Sequence, residues 1–199
     1  MRIERHRIDP GGRAELRARL DELIQPQGGE TPVCGPGCPR PALRDCRRDC
    51  PEIPAALSSE PERYPLETGI APLAFELTRL GVFRTCWSCE GHNGPDGELR
   101  KVPRVWFYAE SVLHLRVLAE ALREIGFAEK LRVPWQVAAT FSDPDNPGSA
   151  FSLEPNLTLV SARLADLQGD MGVIAEKLGP AVTHCARALR SSLDAPGCP

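Results

Sequence analysis

Four of the chain's eight cysteines fall within 17 residues, as Cys34-Gly-Pro-Gly-Cys38-Pro39 and Cys46-Arg-Arg-Asp-Cys50-Pro51. These are two copies of the pattern C-x3-C-P, with seven residues between Cys38 and Cys46. The stretch around them, from Pro26 to about Pro65, is rich in Pro, Arg and Cys and lacks sustained apolar periodicity. Such a segment cannot bury a core of its own; it takes a fixed shape through a staple or serves as a linker. Gly35, Pro36 and Gly37 suit a tight turn that aims two sulfurs inward, and Leu43 to Cys50 suit a short helix with Cys46 and Cys50 on one side. Four thiolates are a complete ligand set for tetrahedral Zn2+ or for a [4Fe-4S] cluster. Arg40, Arg44, Arg47 and Arg48 lower thiol pKa values and offset the negative charge of such a site.

Whether these sulfurs meet a metal or each other depends on the compartment. No apolar run approaches the roughly 20 residues of a membrane span, and the start MRIERHRIDP lacks the hydrophobic core of a signal peptide. The expected location is the cytoplasm, where thiols stay reduced, and this favours metal ligation. The competing readings are a pair of i,i+4 disulfides, as in small helical hairpins, or unliganded cysteines in a linker.

The rest of the chain has the periodicity of an α+β protein. Leu16, Leu20, Leu23 and Ile24 mark an amphipathic opening helix that ends at Pro26. Ile70, Leu73, Leu77 and Leu80 mark a second, closed by Gly81. Strand-like runs follow at Val82 to Trp87 and Arg104 to Tyr108, joined by a loop from Cys89 to Val102. A helix from about Ser111 to Ile125 is expected to stop at Gly126. Alternation then marks strands from Val133 to Phe141 and from Phe151 to Leu159. A helix bearing Leu164, Leu167, Met171, Ile174 and Leu178 is expected to break at Gly179-Pro180 before a last helix. The order helix, hairpin, helix, hairpin, helix predicts a four-stranded antiparallel sheet with helices on one face and a Cys-rich N-terminal insertion. The 199 residues divide into an N-terminal segment, 1–65, and a core domain, 66–199.

A second cluster, Cys86-Trp87-Ser88-Cys89-Glu90-Gly91-His92, lies where a strand enters a Gly-rich loop. Cys86, Cys89 and His92 have C-x2-C-x2-H spacing, which supplies three metal ligands and leaves a fourth position open. Glu90 beside it has the chemistry of a general base toward a metal-bound water, which makes Glu90 and His92 candidate catalytic residues. The bland alternative is a buried strand thiol at Cys86 and a turn shaped by Cys89 and His92. His114 and Cys185 are candidate outside ligands, although each lies beside an apolar helix stripe and reads more readily as packing. The segment Gly81-Val-Phe-Arg-Thr85-Cys-Trp-Ser88-Cys89-Glu-Gly91-His92 resembles one found in small uncharacterised bacterial and phage proteins, of the form helix, G-x-x-T-x-x-S-C-x-G-H, strand. Here one extra residue separates Gly81 from Thr85. The resemblance covers about a quarter of the chain and implies that Ser88, Cys89, Gly91 and His92 act as one unit, with no assigned chemistry.

Three functions follow as expectations. The first is a metal-binding protein with a four-cysteine zinc or iron–sulfur site, acting as a binding, accessory or redox partner of a protein or small molecule. The second is a metal-dependent enzyme at Cys86, Cys89 and His92 with Glu90 as acid–base. The third is a nucleic-acid-binding module using the Arg-rich Cys segment. The formal charge of −3 gives no overall attraction to phosphate backbones or anionic lipid, so only a local basic patch serves the third, and no membrane partner is expected. The aromatics Trp87, Trp106, Phe107, Tyr108, Trp135 and Phe141 all lie in strand-like runs, where core packing is the commoner role and base stacking the rarer. No phosphate loop, dinucleotide fingerprint or serine nucleophile elbow occurs.

Overall fold

A computed structural model of the chain describes residues 10–26, 66–67, 69–140, 149–158 and 160–194. Cys34, Cys38, Cys46 and Cys50 lie outside the described residues, and so do Phe141 and Cys198. Among the described residues four helices, α1 (Pro10–Ile24), α2 (Ala71–Arg79), α3 (Val112–Ala128) and α4 (Leu164–Asp194), combine with six strands. The strands are β1 (Phe83–Cys89), β2 (His92–Asn93), β3 (Leu99–Lys101), β4 (Arg104–Ala109), β5 (Trp135–Thr140) and β6 (Ala150–Pro155). The fold is α+β, with a four-stranded antiparallel sheet in the order β1-β4-β6-β5. No helix among the described residues is long and apolar enough to cross a membrane.

Strand alternation decides which side of the sheet is covered. Phe83, Val105, Phe107, Leu153 and Trp135 enter one core with Leu73 and Leu77 of α2, Leu118 and Leu122 of α3, and Ile174 and Leu178 of α4. Leu20 and Leu23 of α1, both fully buried, belong to the same core. Trp87 and Trp106, large and apolar but on the other side of the strands, do not. Gly81 turns α2 into β1 with φ +79°, a conformation that glycine adopts without Cβ strain. Ser111 caps α3, its hydroxyl accepting the His114 N–H at 3.2 Å.

The structure departs from the sequence expectation in four places. The helix expected to break at Gly179-Pro180 is continuous: α4 runs through Pro180 for 31 residues. An interior proline costs about 3 kcal/mol, whereas each buried side chain gains about 1.5–3 kcal/mol. Leu167, Met171, Ile174 and Leu178 before the proline and Val182, Cys185 and Ala186 after it are all buried. The Pro180 ring itself is exposed, and Gly179 lets the helix approach α2 so closely that a Cβ there would collide with Glu76 and Arg79. Gly126 does not end α3, which continues to Ala128. The loop from Cys89 to Val102 contains its own two-stranded sheet, β2 with β3, closed by a turn in which the Gly97 N–H bonds the Gly94 carbonyl at 3.0 Å. Finally, β6 covers Ala150–Pro155 and stops short of Leu159.

Candidate metal centre

The helix–turn–strand unit α2-β1 runs antiparallel, so the residues just before α2 lie alongside the far end of β1. That places Glu67, from the segment preceding α2, beside Cys89 at the end of β1 and His92 at the start of β2. One ligand atom from each of the three lies within 4.8 Å of the other two. The His92 Nε2 and Glu67 Oε1 are 2.9 Å apart. Cys89 is 4% exposed yet stands outside the main core. His92 is partly open to solvent and Glu67 mostly covered.

The surroundings hold these groups in place. The Glu90 N–H donates to Glu67 Oε2 at 2.7 Å, which fixes the carboxylate and leaves Oε1 turned to His92. The Glu90 carboxylate in turn accepts the Gly69 N–H at 2.8 Å and ties down the start of α2. Gln168 of α4 donates to the Glu90 carbonyl at 3.1 Å. Gly91 makes the corner between β1 and β2 with φ +84°; a Cβ there would meet Leu164, Pro103 and the Lys101 carbonyl at 2.7–3.0 Å. Both the backbone angle and the space therefore require glycine. Burial pushes the Cys89 thiol up. The Gly91 N–H opposes that shift, the Glu67 charge adds to it, and Lys101 and Arg104 pull the other way. A raised thiol keeps its proton at neutral pH, and a cation bound here would displace it.

The donor set fits a metal of zinc's character. A tetrahedral zinc with bonds of about 2.0–2.3 Å separates its ligands by about 3.3–3.8 Å. A spread within 4.8 Å is of that size, and the Glu67–His92 pair at 2.9 Å needs to open by about half an ångström. One thiol is too few for an iron–sulfur cluster at this position.

Of the residues singled out from the sequence, Cys89 and His92 come together and Cys86 is not in their group. Cys86 is the extra residue of a β-bulge in β1, where the register shifts between Thr85 and Trp87. Burial pushes its thiol up as well. His114 is fully buried with Nε2 3.0 Å from the Arg19 carbonyl. Cys185 is a buried thiol pushed up to about 12, first by burial and then by Glu124. Glu67 escaped the sequence reading because it lies 22 residues before Cys89 and no local spacing links them. The usable signal was topological, a carboxylate immediately before a helix that leads by a tight turn into the Cys-bearing strand. No protein-family model, curated protein or solved structure matches the chain.

Proposed function

We propose that the chain is a metal-binding protein that holds Zn2+ between Glu67, Cys89 and His92. The observation that carries this reading is the convergence of oxygen, sulfur and nitrogen donors from separate segments within 4.8 Å, around a buried thiol that the core does not use. Oxygen, nitrogen and a single sulfur suit a borderline cation better than Ca2+ or Mg2+, which take oxygen ligands. A [4Fe-4S] cluster would take Cys34, Cys38, Cys46 and Cys50 instead. In this reading Glu90 is a positioning residue: its N–H orients Glu67, as groups behind a metal ligand commonly do.

Metal analysis of the purified full chain tests the reading. Cys89→Ser and His92→Ala are expected to lose one equivalent of zinc relative to the wild type, whatever the other cysteines retain. Unchanged zinc content in both variants removes the site.

A second reading, metal-dependent hydrolysis, draws on the same donor set. Three protein ligands leave a tetrahedral position for water, and a zinc-bound water loses a proton near pH 7. The test is hydrolysis that needs zinc and disappears in Glu67→Gln; turnover that survives in metal-free protein rules it out.

A further inference from the structure

The sheet face turned away from α1–α4 carries an aromatic platform next to this centre. Trp87 is 41% exposed. It packs on Trp106 with ring centroids 5.0 Å apart and planes at 50°, and the two stand opposite each other across β1 and β4. Cys89 is the next residue but one along β1, on the same side and about 6.6 Å further on, opposite Arg104. Arg84, which is exposed, stands opposite Tyr108, two residues from Trp106 on the same side of β4. The face is therefore read in order as Arg84, Trp87 on Trp106, then Arg104 with the Cys89 centre beside it.

We propose that this face binds single-stranded nucleic acid, a base stacking on the open side of Trp87 while phosphates meet Arg84 and Arg104. An exposed ring anchored by a second ring is a preformed stacking surface for a planar base. The charge agrees: in a chain of net charge −3, β1 and β4 contain two arginines and no carboxylate. An opposing charge, Glu154 of β6, faces Arg104 at 3.6 Å and orients its guanidinium without burying it, and the Glu67 carboxylate stands by Cys89. A second copy of the chain fits less well, because a two-fold contact through this face brings each copy's arginine pair toward the other's. Among the described residues the surface is an open sheet, which suits an extended strand more than a small molecule that needs a cleft. As to position, the inference rests on the metal reading only in making this strand the ligand presented to the centre; binding itself needs no ion.

The test is fluorescence anisotropy of a labelled oligouridine or oligothymidine 12-mer titrated with the full-length zinc-loaded protein at two salt concentrations. Trp87→Ala is expected to weaken binding at least about fivefold, and Trp87→Phe, which keeps a stacking ring, to restore most of it. Arg84→Gln and Arg104→Gln are each expected to flatten the salt dependence by about 0.7 in log–log slope. Comparing uridine with thymidine oligomers separates RNA from DNA. Cys89→Ser reads the two proposals apart, since it removes zinc and leaves Trp87-dependent binding in place. Binding that ignores Trp87 places the affinity elsewhere on the chain and overturns this proposal. No binding at low salt, or self-association abolished by Trp87→Ala, overturns it equally.

Discussion

Among the described residues two glutamate–histidine pairs have nearly equal length, and they do opposite things. Glu67 and His92 meet at 2.9 Å beside a thiol, with His92 partly open. Glu22 and His114 meet at 3.1 Å where α1 crosses α3, with His114 fully covered. In the second pair Nε2 also lies 3.0 Å from the Arg19 carbonyl, an acceptor that calls for a proton on Nε2. Among the described residues Nδ1 is left buried without a partner, and the Phe83 ring packs beside the imidazole. A carboxylate within reach of an imidazole is therefore no sign of a metal site in itself. What distinguishes the first pair is a third donor of another kind and a route for an ion to enter; the second has a carbonyl in that place and a helix over it.

The sharpest way to break this contrast is to remove each imidazole from metal-free protein. His114→Ala deletes a ring that packs in the interface between two helices, and is expected to cost about 2–4 kcal/mol through the cavity and the unpaired Arg19 carbonyl. His92→Ala removes a partly solvated ring whose contact with Glu67 is worth at most about 1 kcal/mol. Urea unfolding in the presence of a chelator measures both. Equal losses would mean that His92 is structural, and the distinction between the pairs would fall.

The next effect in size concerns how the first pair is held. Gly91→Ala forces a Cβ against Leu164, Pro103 and the Lys101 carbonyl at a corner with φ +84°. Cys89 and His92 flank that corner, so the substitution is expected to lower zinc affinity about 10–100-fold, the range seen when groups behind metal ligands are disturbed. Competition with a chromophoric chelator reads it directly. The Glu22–His114 pair should not notice: zinc-free stability changes through the Gly91 corner alone, and a further His114→Gln substitution should add to it independently.

Much of this arrangement was legible in the sequence, and the exceptions share a cause. The 3.6-residue stripes at Leu20, Leu23, Leu73 and Leu77 and the alternation through Val105 and Phe107 report burial one residue at a time, and a linear reading recovers them. The C-x2-H spacing of Cys89 and His92 is equally local. Glu67 is not, because its place beside them follows from α2 folding back along β1. Gly179-Pro180 misled for the complementary reason: propensity is local, but the buried side chains on both sides of Pro180 bind α4 to α1, α2 and α3 at once. The Cys89–Val102 segment has the composition of a loop, and only the β2–β3 pairing shows that His92 stands on a strand opposite Lys101. Cys34, Cys38, Cys46 and Cys50, the strongest motif in the sequence, lie outside the described residues and add nothing to the geometry.

The smallest predicted effect is also the most specific to the buried pair. Burial lowers the His114 pKa, against the opposing pull of the Arg19 carbonyl and the Glu22 and Glu110 carboxylates and with the help of the Arg19 charge. The unfolded chain therefore takes up this proton at a higher pH than the folded one. Between the ordinary histidine value of about 6.5 and the lower folded value, the unfolded state holds more protons, so stability falls as pH falls through that window. The slope contributed by one site is at most about 1.4 kcal/mol per pH unit. Asp166 and Glu120, which Arg163 and Arg123 hold below the usual carboxylate range, titrate at lower pH and do not enter. His114→Gln removes the titrating ring and keeps a donor within reach of the Arg19 carbonyl. Unfolding free energies of wild type and variant at pH 7.5 and pH 5.5 should then differ, with the wild type losing more on acidification. Parallel losses would show that the imidazole takes its proton in the folded protein as readily as in the unfolded chain, and that the helices do not shield it from water.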